Sequence, residues 1–243
     1  MIRTLLRTTL IVSSLALGIA AGAQSTSGDL AAVLADPARP EADKVRDADR
    51  KPAELIAFAG VKRGSTVAEL GPGGGYFTRI LTGAVGPSGH VYAMAGRPSP
   101  ALEELAKTAP ALSIVAVQTG EIKVPAPVDV VWTTLNYHDF KNAKVGDSDV
   151  AALLNKSAFA ALKPGGIYLV VDHQAAPGTG TTATSTLHRI EDAAVKREVE
   201  AAGFKFDAES SMLRHPQDDY AVGVHNSERG KTDQFVLRFR KPE

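Results

Sequence analysis

The stretch Val67-Ala68-Glu69-Leu70-Gly71-Pro72-Gly73-Gly74-Gly75-Tyr76-Phe77-Thr78 decides how this chain is read. Thr66 to Leu70, bounded by glycines, has the make-up of a short buried strand. Tyr76 to Val85 carries Phe77, Ile80, Leu81 and Val85 at helical spacing. Between them, glycines allow left-handed backbone and let main chain approach a ligand where a Cβ would intrude. A strand, a glycine-rich turn and a helix in that order place the turn at the carboxyl end of a strand, where open α/β sheets bind ligands.

Working outward, Pro52 opens a helix with Leu55, Ile56 and Phe58 as its apolar stripe, and Gly60 ends it. Downstream, strands are predicted at His90–Met94, Ser113–Val117, Val128–Leu135, Ile167–Val171, Phe204–Ser210 and Gln234–Arg240. Helices are predicted from Pro100 through Lys107, over Val150–Leu162 and over Glu191–Ala202. This alternation calls for a doubly wound, mostly parallel α/β sheet with helices on both faces. Val128–Leu135, nearly all apolar, suits a central strand. Two Gly/Thr/Asp-rich stretches, Gln174–Ser185 and Ser211–Lys231, follow strand ends and are candidate walls of a pocket, with plain surface loop as the alternative.

Two ligand classes use a glycine turn of this kind. The dinucleotide fingerprint Gly-x-Gly-x-x-Gly fails here, because its sixth position is Tyr76. The spacing is acidic-x-Gly-x-Gly-x-Gly, with Glu69, Gly71, Gly73 and Gly75. It resembles motif I of the class I S-adenosylmethionine-dependent methyltransferases, and Asp129-Val130-Val131 and Leu162-Lys163-Pro164-Gly165-Gly166 are also typical of that family. The chain is similar, more narrowly, to a group of exported predicted methyltransferases. The matching pieces are Arg46-Asp47, Arg50-x-Pro52, Gly60-Val61-Lys62, Pro72 to Tyr76, Val171-Asp172-His173, Glu200 to Phe204 and Thr232 to Phe239. The resemblance covers roughly Pro52 to the C-terminus. It implies a Rossmann-like methyltransferase fold of seven strands with the last antiparallel and S-adenosylmethionine as cofactor; a small-molecule methyl acceptor is expected, since a folded protein acceptor would need a broader binding platform and a nucleic acid a basic one. One departure stands out: the end of the second strand, Tyr92-Ala93-Met94-Ala95-Gly96-Arg97, lacks the carboxylate that many family members use to hold the ribose.

The resemblance implies cofactor contacts at Glu69, Gly71, Gly73 and Gly75, and it places the residues after the fourth strand, Asn136-Tyr137-His138-Asp139, where donor and acceptor meet. Asn136 and Tyr137 are expected to position cofactor or substrate. His138 and His173 are candidates for a general base, since imidazole titrates near neutrality; the alternative is that both only tie loops to carboxylates. Metal binding by His138, Asp139, Asp172 and His173 is not expected, because no His-x-x-x-His spacing is present. Arg189, Arg214, His215, Arg229 and Lys231 are read mostly as solvated charges, with an anion site as the alternative. Trp132 and Tyr92 are read as core, and His90 as structural.

Composition narrows the field. The 243 residues carry 27 Lys+Arg against 27 Asp+Glu, and no cysteine. Balanced charge disfavours a nucleic-acid surface, and the lack of cysteine excludes disulfides, thiolate metal sites and thiol nucleophiles. Met1 to Ala23 reads as a secretory signal peptide, with Arg3 and Arg7 ahead of an apolar run and Ala21-Gly22-Ala23 at its end. That run, about 14 residues, is short of the roughly 20 a spanning helix needs. The expectation is an exported, periplasmic protein with no stable membrane insertion. Residues 24–51 are expected to form an arm with at most short helices, and 52–243 a methyltransferase-like domain. Two further functions stay open: a ligand-binding protein that kept the fold without transfer chemistry, and, disfavoured by Tyr76, a dinucleotide-dependent oxidoreductase.

Overall fold

A computed structural model describes residues 29–117, 120–228 and 230–243. The expected signal peptide lies outside the described residues. After short helices α1 (Glu41–Lys44) and α2 (Asp47–Arg50) come α3 (Pro52–Ala59), β1 (Thr66–Leu70), α4 (Tyr76–Val85), β2 (His90–Ala95), α5 (Pro100–Thr108), β3 (Leu112–Ala116) and β4 (Val128–Thr134). Then follow α6 (Tyr137–Asn142), α7 (Val150–Ala161), β5 (Leu162–His173), α8 (Asp192–Ala201), β6 (Lys205–Ser210) and β7 (Gln234–Arg240). A two-residue hairpin, Lys144–Val145 with Ser148–Asp149, joins α6 to α7.

The strands form one seven-stranded sheet in the order β3-β2-β1-β4-β5-β7-β6. β1 to β5 pair in parallel, and β7 runs antiparallel between β5 and β6. The doubly wound sheet with its antiparallel last strand is as expected. The order reverses between β1 and β4, so their carboxyl ends open a crevice.

The period of two along each strand divides the apolar residues between two cores. Val67, Val91, Val130, Trp132 and Leu169 pack with α3, α4 and α5. Ala68, Leu70, Val131, Tyr168 and Val170 pack with α6, α7 and α8. Trp132 is fully buried, as its place in an apolar strand implied. Each large apolar side chain so enclosed contributes roughly 1.5–3 kcal/mol. The helices start where local chemistry says. Ser99 Oγ accepts the Leu102 N–H with Pro100 in the first turn of α5, and Asp149 accepts the Ala152 N–H to open α7. Gly60, at φ 72°, closes α3.

The far ends of the strands are tied by charge. Asp129 accepts the Thr66 N–H at 2.8 Å and the Lys163 ammonium at 2.6 Å. His90 is held by Ser113 at 2.9 Å, and its ring lies against that of Tyr92, tilted by 50° with centroids 4.6 Å apart. Asp129, Lys163 and His90 therefore hold the sheet and line neither cavity described below. No helix among the described residues is long and apolar enough to cross a membrane.

Candidate functional site

The crevice is built from the quoted turn. Gly71, Gly73 and Gly75 all have positive φ, at 68°, 55° and 83°. Their surroundings differ. A Cβ on Gly71 would lie 2.7 Å from the side chain of Asn136, and one on Gly75 would meet Arg79, Leu102 and Leu105. Gly73 and Gly74 have nothing within 4 Å in that direction. Thus Gly71 admits a side chain of the protein itself, Gly75 starts α4, and Gly73-Gly74 present bare backbone to open space.

That space is a cavity of about 230 Å³ walled by Glu69, Gly71, Pro72, Gly73 and Gly74, by Thr134, Leu135 and Asn136 from the end of β4, and by Asp43, Arg46 and Arg50. Asn136 donates to the Gly71 carbonyl at 3.0 Å and the Thr134 carbonyl at 2.6 Å, locking two strand ends together. Leu135 bends the chain here with φ 59°, a conformation rare for a bulky side chain. Glu69 is buried and accepts the Thr78 hydroxyl at 2.6 Å. Burial pushes its carboxyl up to about 7, against the Thr78 bond and the Arg50 charge, which pull it down.

A second cavity, about 360 Å³, adjoins the first and shares Arg46, Arg50 and Leu135 with it. Its other walls include Asp49, His173 at the end of β5, and Val224, His225 and Glu228 from the second long stretch. This stretch is ordered by buried polar ties. Arg189 is fully buried and grips Asp218 with both guanidinium nitrogens at 2.7 and 3.1 Å while donating to the carbonyls of Gln174 and Val222. Asp233, also fully buried, takes the Tyr220 hydroxyl, the His215 N–H and the Arg214 guanidinium. The expectation of a solvated Arg189 is corrected: it joins the two long stretches into a wall.

The candidate residues part company in three dimensions. Glu69, Gly71, Gly73 and Asn136 line the first cavity and His173 the second, whereas Gly75, Tyr137 and His138 line neither. Tyr137 is fully buried, its hydroxyl bonded to Glu198 and Asn155 on the opposite side of the sheet from α4, so it is placed to hold α6 on the sheet. His138 and His173 flank Asp172. Asp172 accepts the backbone N–H groups of both and sits 2.7 Å from His138 Nδ1. Burial depresses His138, but the Asp172 charge and hydrogen bond outweigh it and the imidazole is raised. His173 bonds to the Thr232 hydroxyl at 2.9 Å, and burial, with His138 and Arg189 nearby, lowers it to about 4.

Sequence reading missed the contribution of residues 39–50. Arg39 is 5% exposed and paired with Asp47 at 2.7 Å, Asp47 accepts the Tyr76 hydroxyl at 2.6 Å, and Asp43 pairs with Arg79 at 2.9 Å. The Arg50 guanidinium lies 4.5 Å from the Tyr76 ring centre. The segment holds the two short helices α1 and α2, is clasped onto the start of α4 and delivers Asp43, Arg46, Asp49 and Arg50 to the cavities. The signal was in view: the residue that breaks the dinucleotide fingerprint, Tyr76, is the anchor for this segment.

No protein-family model matches the chain, and no curated protein matches its sequence. Solved structures do match in fold. A SAM-dependent methyltransferase from Aquifex aeolicus aligns with a TM-score of 0.59 at 17% identity, over 88% of this chain and 98% of its own. The Burkholderia thailandensis 1,6-didemethyltoxoflavin-N1-methyltransferase, solved with its substrate and S-adenosylhomocysteine, aligns at 0.58 and 17% identity over 94% of each chain. The [4+2]-cyclase SpnF aligns at 0.62 and 14% identity, over 80% of this chain and 81% of its own. At these identities the likeness establishes architecture: the chain has the seven-stranded, Rossmann-like fold of the class I SAM-dependent methyltransferases.

Proposed function

We propose that this protein is an S-adenosylmethionine-dependent methyltransferase acting on a small-molecule acceptor. The observation that carries the reading is the bare backbone of Gly73-Gly74 facing the 230 Å³ cavity, with Glu69 and Asn136 in its walls and the larger cavity alongside. Both glycines line that cavity with no protein atom within 4 Å of where a Cβ would stand, so bare backbone borders the space the cofactor would take. Taken together, the adjoining cavities of about 230 and 360 Å³ fall in the roughly 300–1,000 Å³ range of ligand pockets. When bound, the cofactor supplies an electrophilic methyl group on a sulfonium.

The chain's own residues then have defined tasks. Glu69 offers a carboxylate toward a cationic ligand, and a nearby positive charge favours its ionised form. Arg46 and Arg50 suit a ligand carboxylate, as guanidinium forks do. Asp43, paired with Arg79, is the second carboxylate on the cavity wall beside Glu69. His173, neutral at pH 7, is better suited to accept a hydrogen bond from the acceptor than to store its proton, because a base works best near the operating pH. Alignment of the acceptor and exclusion of water supply most of the rate. Export by Met1–Ala23 to the periplasm belongs to the same reading, and mass spectrometry of the mature N-terminus tests it.

Calorimetric titration with S-adenosylhomocysteine tests the function. Binding at micromolar levels or tighter that disappears in Gly73→Val is expected; no binding by the folded wild type overturns the reading. A second reading, ligand binding without methyl transfer, is favoured by the carboxylate-free end of β2, and SpnF shows a cyclase on this architecture. Binding without methylated product across a broad panel of small-molecule acceptors would favour it.

A further inference from the structure

His138 and Asp139 sit at the start of α6, His188 precedes the bridge that Ile190 makes with Gln174, and His225 lies on a single 3-10 turn, Val224–Asn226. The fold brings all four together beside the larger cavity. Asp172 fixes the first of them: its two oxygens take the His138 backbone N–H and face ring Nδ1. An Nδ1–H bonded to a carboxylate leaves the Nε2 lone pair free, the arrangement that backs histidines in metal sites. Nε2 stands 3.4 Å from Asp139 Oδ1, and His188 Nδ1 stands 3.3 Å from that same oxygen. All three atoms lie within 4.8 Å of one another.

These spacings are informative. Ligands about 2.0–2.2 Å from a tetrahedral ion are separated from one another by roughly 3.3–3.6 Å. The two nitrogen–oxygen edges already have that length. His188 holds its backbone in the left-handed region, at φ 55°, which costs a residue with a side chain about 1 kcal/mol or more. The flanking bonds from Ile190 N–H to the His173 carbonyl and from Val224 N–H to the Leu187 carbonyl keep it there. The His225 ring meets His188 edge-on at 4.3 Å. Asp139 and His188 are partly exposed, so an ion can enter.

We infer that His138 Nε2, Asp139 Oδ1 and His188 Nδ1 form a site for one divalent transition-metal ion of the zinc class. Two imidazoles and a carboxylate are a zinc-type donor set that leaves a fourth position open. The ion would clamp α6 to the turn that carries His188, directly behind the His225 wall of the larger cavity. This inference stands apart from methyl transfer and does not need it.

The test is a zinc titration of the untagged, chelator-dialysed chain at pH 7.5, read by competition with a chromophoric chelator. One equivalent bound with a Kd below about 10 µM is expected, and cobalt should give the visible absorption of a tetrahedral site. Asp139→Asn and His188→Asn, the second chosen because asparagine tolerates the left-handed backbone, should each weaken binding at least about tenfold. His90→Gln, at the opposite edge of the sheet, should leave it unchanged. No saturable binding to wild type, or full affinity in both site variants, overturns the inference. Should a variant fail to fold, diethyl pyrocarbonate labelling of wild type decides: zinc must protect His188, and unchanged labelling overturns the site.

Discussion

The two ends of the crevice are built on opposite principles. At β1 the site is main chain: Gly71 to Gly75 shape it, and the closest visitor is one side chain, Asn136. At β5 it is side chain: Asp172 lies between two histidines and raises both, yet His138 ends above its ordinary range while burial takes His173 down to about 4. Both histidines feel the same carboxylate. His138 hydrogen-bonds to it through its ring, whereas His173 spends its ring nitrogen on Thr232, so burial wins there. Backbone sites tolerate little substitution but titrate weakly; side-chain sites can be retuned by one neighbour.

The largest break expected in this contrast is Gly71→Ala. The new Cβ strains a left-handed residue and meets Asn136 at 2.7 Å, for a cost of about 3 kcal/mol in thermal or denaturant unfolding. A loss below about 1 kcal/mol would mean Asn136 yields easily, and the backbone end would be less rigid than its geometry indicates.

Glu69→Gln comes next and tests whether a titrating group hides in the backbone end. A carboxyl raised to about 7 is charged at a cost in the folded state. The unfolded carboxyl releases its proton from the ordinary range, so stability falls as pH rises between the two values and stays reduced above 7. The variant should therefore be more stable than wild type by about 3 kcal/mol at pH 8 and by only about 1 kcal/mol at pH 5. It should also lose the proton release expected when wild type binds a cationic ligand, read by calorimetry in buffers of different ionisation enthalpy. Equal stability changes at both pH values would place the charge elsewhere.

His173→Gln sharpens the other side. Its folded-state proton affinity lies below that of the unfolded chain, so the contribution of His173 to stability, read as wild type minus variant, falls as pH drops from about 6.5 toward 4. By pH 5 the loss should reach about 2 kcal/mol, and the glutamine variant should lack that slope. Glu69 moves wild-type stability the opposite way over the same interval, so the readout is the difference between wild type and variant; a difference that stays constant from pH 6.5 to 5 would contradict the separation of the two histidines. The smallest effect on folding is expected from Gly73→Ala. It has open space around its Cβ, so only the φ of 55° weighs against it, for about 1 kcal/mol. Its binding of S-adenosylhomocysteine should nonetheless fall at least tenfold, separating cradle from fold.

Most of the sheet was legible because strand and helix periods are local. Thr66–Leu70, Tyr76–Val85 and Gln234–Arg240 fall where the apolar spacing and glycines place them. Helix α6 was not read, since six residues are too few to show a period, and its entry depends on Leu135 turning through a left-handed conformation. Glu69, Gly73 and Asn136 could be assigned to one crevice because they sit at strand ends. Tyr137, two residues before Asp139, points into the other core, a matter of one step along a turn that no pattern fixed. The charged residues deceived most. Arg189 and Asp218 look like surface on composition, and only the close of two distant loops shows that they are buried partners.

The sequence by itself determined the alternation, the parallel sheet and the glycine turn, because these rest on backbone conformation and on the burial of neighbours close along the chain. Tertiary structure alone decided which residues share a cavity wall, which glycine borders open space and which faces Asn136, and how burial and hydrogen bonding set apart the two histidines beside Asp172. Those outcomes depend on distances between residues tens of positions apart, and burial and charge act through space, where the order of residues in the chain carries no information.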